Sequence, residues 1–358
     1  MQKRLSATLR LQNGMEFKGW SFGSQRPSDG EVVFSTNMVG YPESLTDPSY
    51  SGQILCVTYP LIGNYGVPNE GDDQMGISKN FESEKIWVRG LVISDYSFNY
   101  SHWDAVKSLE QWLQENDIPG IFGIDTRALT QVLRENGSML GKIVLDEGDK
   151  EFDVPDPNKD NQIAIVSCKD VIRYGSGEKK VVLVDCGVKH NILRCFVKRG
   201  VEVIRVPWDY DFNAIDFDGL FISNGPGNPE YCAITEEHLR KAMEGEKPIF
   251  GICMGNQLLA RAGGAKTFKL KYGHRSSNQP VRLIGTNQCY ITSQNHGYAV
   301  DNSTLGEDWL PLFENMNDGT NEGIKHKTKP FFSVQFHPEA SSGPTDTEFL
   351  FDEFISKL

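Results

Sequence analysis

The sequence contains no hydrophobic run approaching the ~18 residues that cross a bilayer. Its start, Met1-Gln2-Lys3-Arg4-Leu5-Ser6, leads into polar text without the apolar stretch of a secretory signal. A cytoplasmic protein with no membrane partner is therefore expected. There is no Lys/Arg-rich run, and 36 basic against 48 acidic side chains leave a formal charge of -12, which argues against a nucleic-acid partner. The seven cysteines, Cys56, Cys168, Cys186, Cys195, Cys232, Cys253 and Cys289, form no C-x-x-C pair of the kind that marks zinc or a disulfide framework. Most should be reduced, buried and inert. A Walker A pattern, metal-ligand spacing, internal repeats and low-complexity tracts are also missing, so no metal or cofactor is expected in this chain.

What is there is long enough for two cores. The 358 residues exceed one typical domain, and a 39% hydrophobic share is ordinary for a globular chain. Between Asp146 and Gly177 the text turns polar, with Pro155, Pro157 and Gly175-Ser176-Gly177. This predicts an N-terminal domain over 1–150, a linker over 151–178 and a C-terminal domain over 179–358. The apolar run Ile163-Ala164-Ile165-Val166 within the linker reads as a strand or an anchoring segment. In the first half, Glu31–Thr36 and Ile54–Thr58 read as strands, and helices are predicted over Trp103–Glu115 and from Asp125-Thr126-Arg127 to Asn136-Gly137.

The second half is more regular. Apolar runs at Lys180–Val184, Glu202–Val206, Gly219–Ser223, Pro248–Ile252 and Pro330–Phe336 alternate with amphipathic helical stretches. That rhythm predicts an α/β fold: a doubly wound, mostly parallel C-terminal sheet preceded by a mixed α/β N-terminal domain. In such sheets function gathers at the carboxyl ends of the strands, which directs attention to the residues after Ser223, Ile252 and Phe336.

After the fourth run stands Gly251-Ile252-Cys253-Met254-Gly255, entering a helix with Leu258, Leu259 and Ala260. Glycines flanking a nucleophile on a strand-to-helix turn let backbones pass closely and aim the side chain out of the sheet. The helix N-terminus beneath the sulfur favours the thiolate, the reactive form. Cys253 is thus the one cysteine expected to react. It needs a base, and Phe336-His337-Pro338-Glu339 supplies an imidazole with a carboxylate two residues on, placed to orient it. His102, His190 and His238 lie on or beside helical segments and are set aside. His296, in Gln294-Asn295-His296-Gly297-Tyr298, belongs either to a substrate-recognition strand or to an ordinary hairpin turn. Ser223-Asn224-Gly225-Pro226-Gly227-Asn228-Pro229 reads as a turn whose amides, with the amide of Met254, meet a developing oxyanion; plain chain reversal is the alternative.

These three segments, in this order, resemble the class I, triad-type glutamine amidotransferases. The first half resembles the small subunit, or glutaminase region, of carbamoyl-phosphate synthetase, in Gly40-Tyr41-Pro42-Glu43-Ser44-Leu45-Thr46-Asp47-Pro48-Ser49-Tyr50, Thr58–Gly66, Gly123–Arg127 and Gly137–Gly141. The resemblance covers nearly the whole chain. It implies hydrolysis of L-glutamine to glutamate and ammonia through a glutamyl thioester, with Cys253 as nucleophile, His337 as general acid and base, and Glu339 orienting it. It further implies that Ser49, Gly225, Gly227, Met254, Gln257, Asn295, Gly297 and Tyr298 hold glutamine, with Ser49 placing the pocket near the domain junction. The implied partner is a carbamoyl-phosphate synthetase large subunit, or fused synthetase domains, which receives the ammonia by channelling and alone binds ATP and magnesium, for pyrimidine or arginine biosynthesis. The wording of Tyr59–Gly66 and Thr345–Phe351 is closer to the eukaryotic fused enzymes of pyrimidine synthesis than to bacterial subunits. Two departures stand out: Asn256 where the family usually has His, and Asn228 where Asp is common. The competing expectations are a degenerate module that regulates or supports an ammonia-using synthetase, and an amidotransferase of another pathway such as anthranilate or GMP synthesis.

Overall fold

The computed structural model describes residues 4–71, 73, 75–145 and 151–358, so the opening of the predicted polar stretch, 146–150, lies outside the described residues. The chain divides into two compact units, Met1–Lys159 and Asp160–Leu358.

In the first unit, short apolar runs bounded by glycines close into a barrel. Its strands are β1 (Ser6–Leu11), β2 (Glu16–Gly23), β3 (Ser28–Ser35), β4 (Gln53–Val57), β6 (Gly90–Ile93), β8 (Pro119–Phe122) and β9 (Met139–Val144), in the order β1-β2-β8-β6-β4-β3-β9, with β1 and β9 paired to close the ring; β5 (Val67–Pro68) and β7 (Ala105–Lys107) form a separate ribbon. Closure leaves no free edge. Helix α1 (Tyr41–Thr46) packs Tyr41 and Leu45 into the core with Phe22, Leu55 and Leu91.

The helix predicted over Trp103–Glu115 is shorter than expected. Ser108 accepts a hydrogen bond from the amide of Gln111 (3.1 Å) and so starts α2 at Leu109–Glu115, while Ala105–Lys107 pairs as β7. Trp103 is 88% exposed, so the apolar residues before Ser108 make no buried helical face. Helix α3 (Thr126–Asn136) follows its predicted bounds, because the Asp125 carboxylate caps the amide of Ala128 and Gly137 ends it at positive φ.

The second unit is built on one ten-stranded sheet. Strands β10 (Ile172–Tyr174), β11 (Lys179–Asp185), β12 (Val201–Pro207), β13 (Gly219–Ile222), β14 (Ile249–Ile252), β15 (Thr267–Leu283), β16 (Cys289–Val300), β17 (Trp309–Asn315), β18 (Asn321–His326) and β19 (Phe331–Val334) lie in the order β10-β12-β11-β13-β14-β19-β18-β17-β15-β16. The five central strands from β12 to β19 are parallel; β10 on one side and β18, β17, β15 and β16 on the other run antiparallel to their neighbours. The sheet alternates its payload by face. Leu220, Ile222 and Ile249 meet Leu239 of α6 (Ala233–Ala242) and Leu258 and Leu259 of α7 (Met254–Ala262). Phe221 and Phe250 point the other way, against Phe196 of α5 (His190–Val197) and Phe351 of α8 (Phe349–Ile355), in edge-to-face contacts of 5.0 to 5.9 Å.

The predicted linker is only partly a linker. From residue 160 onward it belongs to the second unit: Gln162–Val166 forms a helical turn, α4, with Ile163 in the core, and β10 pairs with β12. Burial of Ile163 and Val166 and the free edge of β12 explain this order.

Candidate active site

Three adjacent parallel strands, β13, β14 and β19, end side by side, and each releases a loop carrying predicted site residues. At the end of β14, Cys253 sits at φ +54°, ψ -100°, a conformation side chains rarely adopt, which the surrounding structure imposes. The flanking glycines are required sterically. A Cβ on Gly251 would lie 2.5 Å from the Gly255 carbonyl oxygen, and one on Gly255 would collide with the carbonyl of Ile222. The amide of Cys253 donates to the Val334 carbonyl (2.8 Å), fixing its backbone to β19. Its buried thiol faces the Asn295 carbonyl at 3.7 Å.

Three residues beyond the end of β19, His337 returns to the sheet by a bridge to Ser293 and lies buried with Glu339. The His337 Nδ1 to Glu339 Oε1 distance is 2.7 Å. His337 Nε2 is buried and makes no hydrogen bond of standard geometry to the protein, while the Cys253 sulfur acts on the ring electrostatically. Burial pushes the imidazolium down, but Glu339 and the Cys253 sulfur outweigh it and hold His337 up at about 10. Burial likewise opposes the Glu339 carboxylate, yet Lys189 and then His337 hold it at about 2. His337 and Glu339 therefore form a buried pair in which each favours the charged form of the other.

Lys189 was not found by sequence reasoning. It is buried, its ammonium lies 3.2 Å from Glu339 Oε1, and it also donates to the Ala340 carbonyl; Asn191 donates to the carbonyl of Glu339 itself. The loop that carries it, after β11, is anchored by Asp185, whose Oδ1 accepts from the amides of Gly187 (2.9 Å) and Val188 (2.8 Å) while Oδ2 accepts from Arg205 Nε (2.8 Å). The available signal was the same rule of strand ends, applied to β11.

The other predicted residues divide. Gly225 and Gly227 lie in the turn after β13; a Cβ on Gly225 would strike the Cys186 carbonyl, and Gly227 has φ +83°. Met254 begins α7, and Gln257, one turn on, donates from Nε2 to the Tyr298 carbonyl (3.0 Å) and Gln335 Oε1 (3.2 Å), leaving its own Oε1 buried without a hydrogen bond. Asn295, Gly297 and Tyr298 lie on β16, where the Asn295 carbonyl faces the Cys253 sulfur. Ser49 belongs to the first unit, in the turn Pro48–Tyr50, where its amide donates to Asp47 Oδ1 (2.9 Å). Asn256 is wholly buried, accepting from Ser333 Oγ (2.8 Å) and donating to Gln335 Oε1 (3.1 Å), so it links α7 to the strand that leads to His337. Asn228 caps the turn Pro229–Cys232 through the amide of Glu230 (3.1 Å).

Among the remaining histidines, His102 accepts the amide of Asp104, and His238 packs on Phe212. His296 lies on β16, not in a hairpin turn. Among the described residues, one group has the composition of a metal site: His274, His296 and Glu322, with one ligand atom each inside 4.8 Å of one another. Both ring nitrogens of His274 face oxygens, Nδ1 to Gln294 Oε1 (3.0 Å) and Nε2 to Asp318 Oδ2 (2.9 Å), so the ring donates hydrogen bonds and has no lone pair aimed at an ion.

A strained thiol, an imidazole and a carboxylate thus gather at the ends of parallel strands, the arrangement of a candidate thiol site. The family model for glutamine amidotransferase class-I matches residues 182–357, and that for the carbamoyl-phosphate synthase small chain, CPSase domain, matches residues 9–143. The chain is 55% identical to multifunctional protein CAD of Squalus acanthias over 98% of this chain and 16% of that protein. It is 52% identical to the mitochondrial carbamoyl-phosphate synthase (ammonia) of Homo sapiens over 99% of this chain and 24% of that protein. With the carbamoyl phosphate synthase arginine-specific small chain of Debaryomyces hansenii the identity is 50%, over 98% of this chain and 85% of the relative. The chain belongs to the carbamoyl-phosphate synthase small-chain family, in which a small-chain domain precedes a class I glutamine amidotransferase domain. It spans 16% and 24% of the first two relatives, which are much longer proteins. Among the described residues, no helix is long and apolar enough to cross a membrane.

Proposed function

We propose that the chain hydrolyses L-glutamine to glutamate and ammonia, and delivers the ammonia to a carbamoyl-phosphate synthetase large subunit or to fused synthetase domains. The observation that carries this reading is the buried Cys253 on its strained elbow, coupled to the 2.7 Å His337–Glu339 pair. The Cys253 thiolate attacks the carboxamide carbon, and the C–N bond breaks as His337 passes its proton to the departing nitrogen, leaving a glutamyl thioester and ammonia. Neutral His337 then takes a proton from water as that water attacks the thioester. The C–S bond breaks, glutamate leaves, and thiolate and imidazolium are restored. Glu339 stays ionised throughout and stabilises the charged ring.

Asn295, Gly297, Tyr298, Met254, Gln257, Gly225, Gly227 and Ser49 are assigned to glutamine. ATP and magnesium are assigned to the synthetase partner, and the setting to the cytoplasm. The product serves pyrimidine synthesis, the pathway implied by the resemblance in Tyr59–Gly66 and Thr345–Phe351, or arginine synthesis, suggested by the arginine-specific relative. A second reading, a glutaminase-like module that only supports an ammonia-using synthetase, is favoured by the relative named for ammonia. A chloroketone analogue of glutamine separates the two. It should label Cys253 selectively, and glutamate release with the synthetase present should vanish in Cys253→Ala. Equal glutamate release by the two proteins would establish the supporting module instead.

A further inference from the structure

Around the pairing of β15 with β16 lies a buried polar cluster that the proposed chemistry does not use. His274 on β15 and His296 on β16 are directly opposed in register, followed by the pairs Arg275–Asn295 and Ser276–Gln294. The ladder is broken on both sides of these three pairs, by register shifts between Lys269 and His274 and between Ser276 and Gln279. Gly273 enters the segment at φ +71°. Backbone pairing alone therefore holds this stretch weakly, although it carries Asn295, whose carbonyl faces the Cys253 sulfur.

Side chains supply the missing constraint. Asp318 Oδ2 lies 2.9 Å from His274 Nε2, and Glu322 Oε1 lies 3.5 Å from Nδ1. His274 Nδ1 donates to Gln294 Oε1 (3.0 Å), which anchors the residue before Asn295. His296 Nδ1 donates to the Tyr298 carbonyl (2.8 Å), and the two imidazoles meet edge to face at 4.9 Å. Glu322 is itself fixed: Asn315 Nδ2 donates to its Oε1 (2.9 Å), and its backbone carbonyl accepts the amide of Gln335, two residues before His337. The cluster thus touches both the strand beside the thiol and the strand that delivers the base.

We propose that His274, held by Asp318 and Glu322, is a positioning residue for glutamine: through Gln294 and His296 it fixes the segment Asn295–Tyr298 in the shape that receives substrate. This rests on the glutaminase reading above. The charge pattern agrees with it. Burial pushes His274 down, but Asp318 and Glu322 outweigh it and hold the ring at about 9, whereas burial and then the facing His274 charge keep His296 well below its ordinary value. The other positive groups acting on His296 are Arg275 and His337. His274 is thus a fixed cation and His296 a neutral ring.

The test is His274→Leu in the chain assembled with its synthetase, with Asp318→Asn, whose side chain is 41% exposed, as the milder variant that keeps the fold. The KM for glutamine should rise about tenfold or more in the first and by a smaller factor in the second. Meanwhile kcat stays within about threefold, and alkylation of Cys253 by iodoacetamide, which does not use the glutamine pocket, stays within about twofold. His296 should titrate at higher pH in His274→Leu, followed by NMR of 15N-histidine. An unchanged KM in both variants with an active wild type overturns the proposal. So does a fall in kcat and alkylation that matches the rise in KM, because that marks general loss of the site. A wild type that releases no glutamate fails the glutaminase reading first, and this proposal falls with it.

Discussion

Replacing Glu339 by Gln keeps the shape of the side chain and removes its charge. The carboxylate lies 2.7 Å from His337 Nδ1. Taking the two charge centres as about 4 Å apart at an effective dielectric constant of about 20, their attraction is about 4 kcal/mol, or about three pKa units. His337 stands at about 10 against an ordinary 6.5, and burial already works against its charge. Without Glu339 only the Cys253 sulfur opposes that burial, so the ring should titrate about three units lower, near 7, and lose about half of its charge at pH 7. The leaving nitrogen then loses its proton donor and the thiolate its counter-ion, which should lower kcat by about 10²- to 10⁴-fold. Lys189 also loses its carboxylate while remaining buried, so the fold should lose about 3 kcal/mol, visible as a lower urea midpoint. The ring titration, followed by NMR of 15N-histidine, and steady-state glutamate release measure the two effects separately. A variant whose His337 still titrates near 10 and whose kcat falls less than about threefold would refute this account of the pair.

Two further outcomes follow from the same geometry. Gly255→Ala should disrupt the elbow, because its Cβ meets the rigid Ile222 carbonyl; labelling of Cys253 by the glutamine analogue should drop about 100-fold or more while Gly71→Ala, whose Cβ meets nothing within 4 Å and whose backbone is not left-handed, leaves labelling within about threefold. Stability should fall as pH rises from 6.5 toward 10. His337 and His274 have folded values raised to about 10 and about 9, so their contribution is complete below 6.5 and is lost as the folded rings deprotonate; a urea midpoint that climbs between pH 7 and pH 9.5 would contradict this.

The parts of this protein visible in its sequence are those whose cause is local. The elbow needs glycine at 251 and 255 for close backbone approach, and those glycines bracket Cys253 on the page as they do in space. The buried strands of the parallel sheet are continuous apolar runs, and Asp125 and Gly137 mark both ends of α3. What stayed hidden depends on partners distant in sequence. Lys189 looks like any surface lysine until Glu339 and Ala340 fold over it. Barrel closure rests on β1 pairing with β9, which no local pattern encodes. Helical spacing from Trp103 misled because Ser108 offered a better start and β5 offered Ala105–Lys107 a pairing partner. The antiparallel half of the sheet was likewise obscured by the bulged, half-polar text of β15.

The hydrogen bond from the Cys253 amide to Val334 has a further consequence for anyone designing covalent inhibitors. That N–H is already committed to the sheet, so it cannot also solvate the oxygen of a warhead bonded to the sulfur. An inhibitor that requires paired amides at the elbow itself would be poorly served. A better scaffold would place its oxygen toward the amide of Met254 and take its second donor from a different loop.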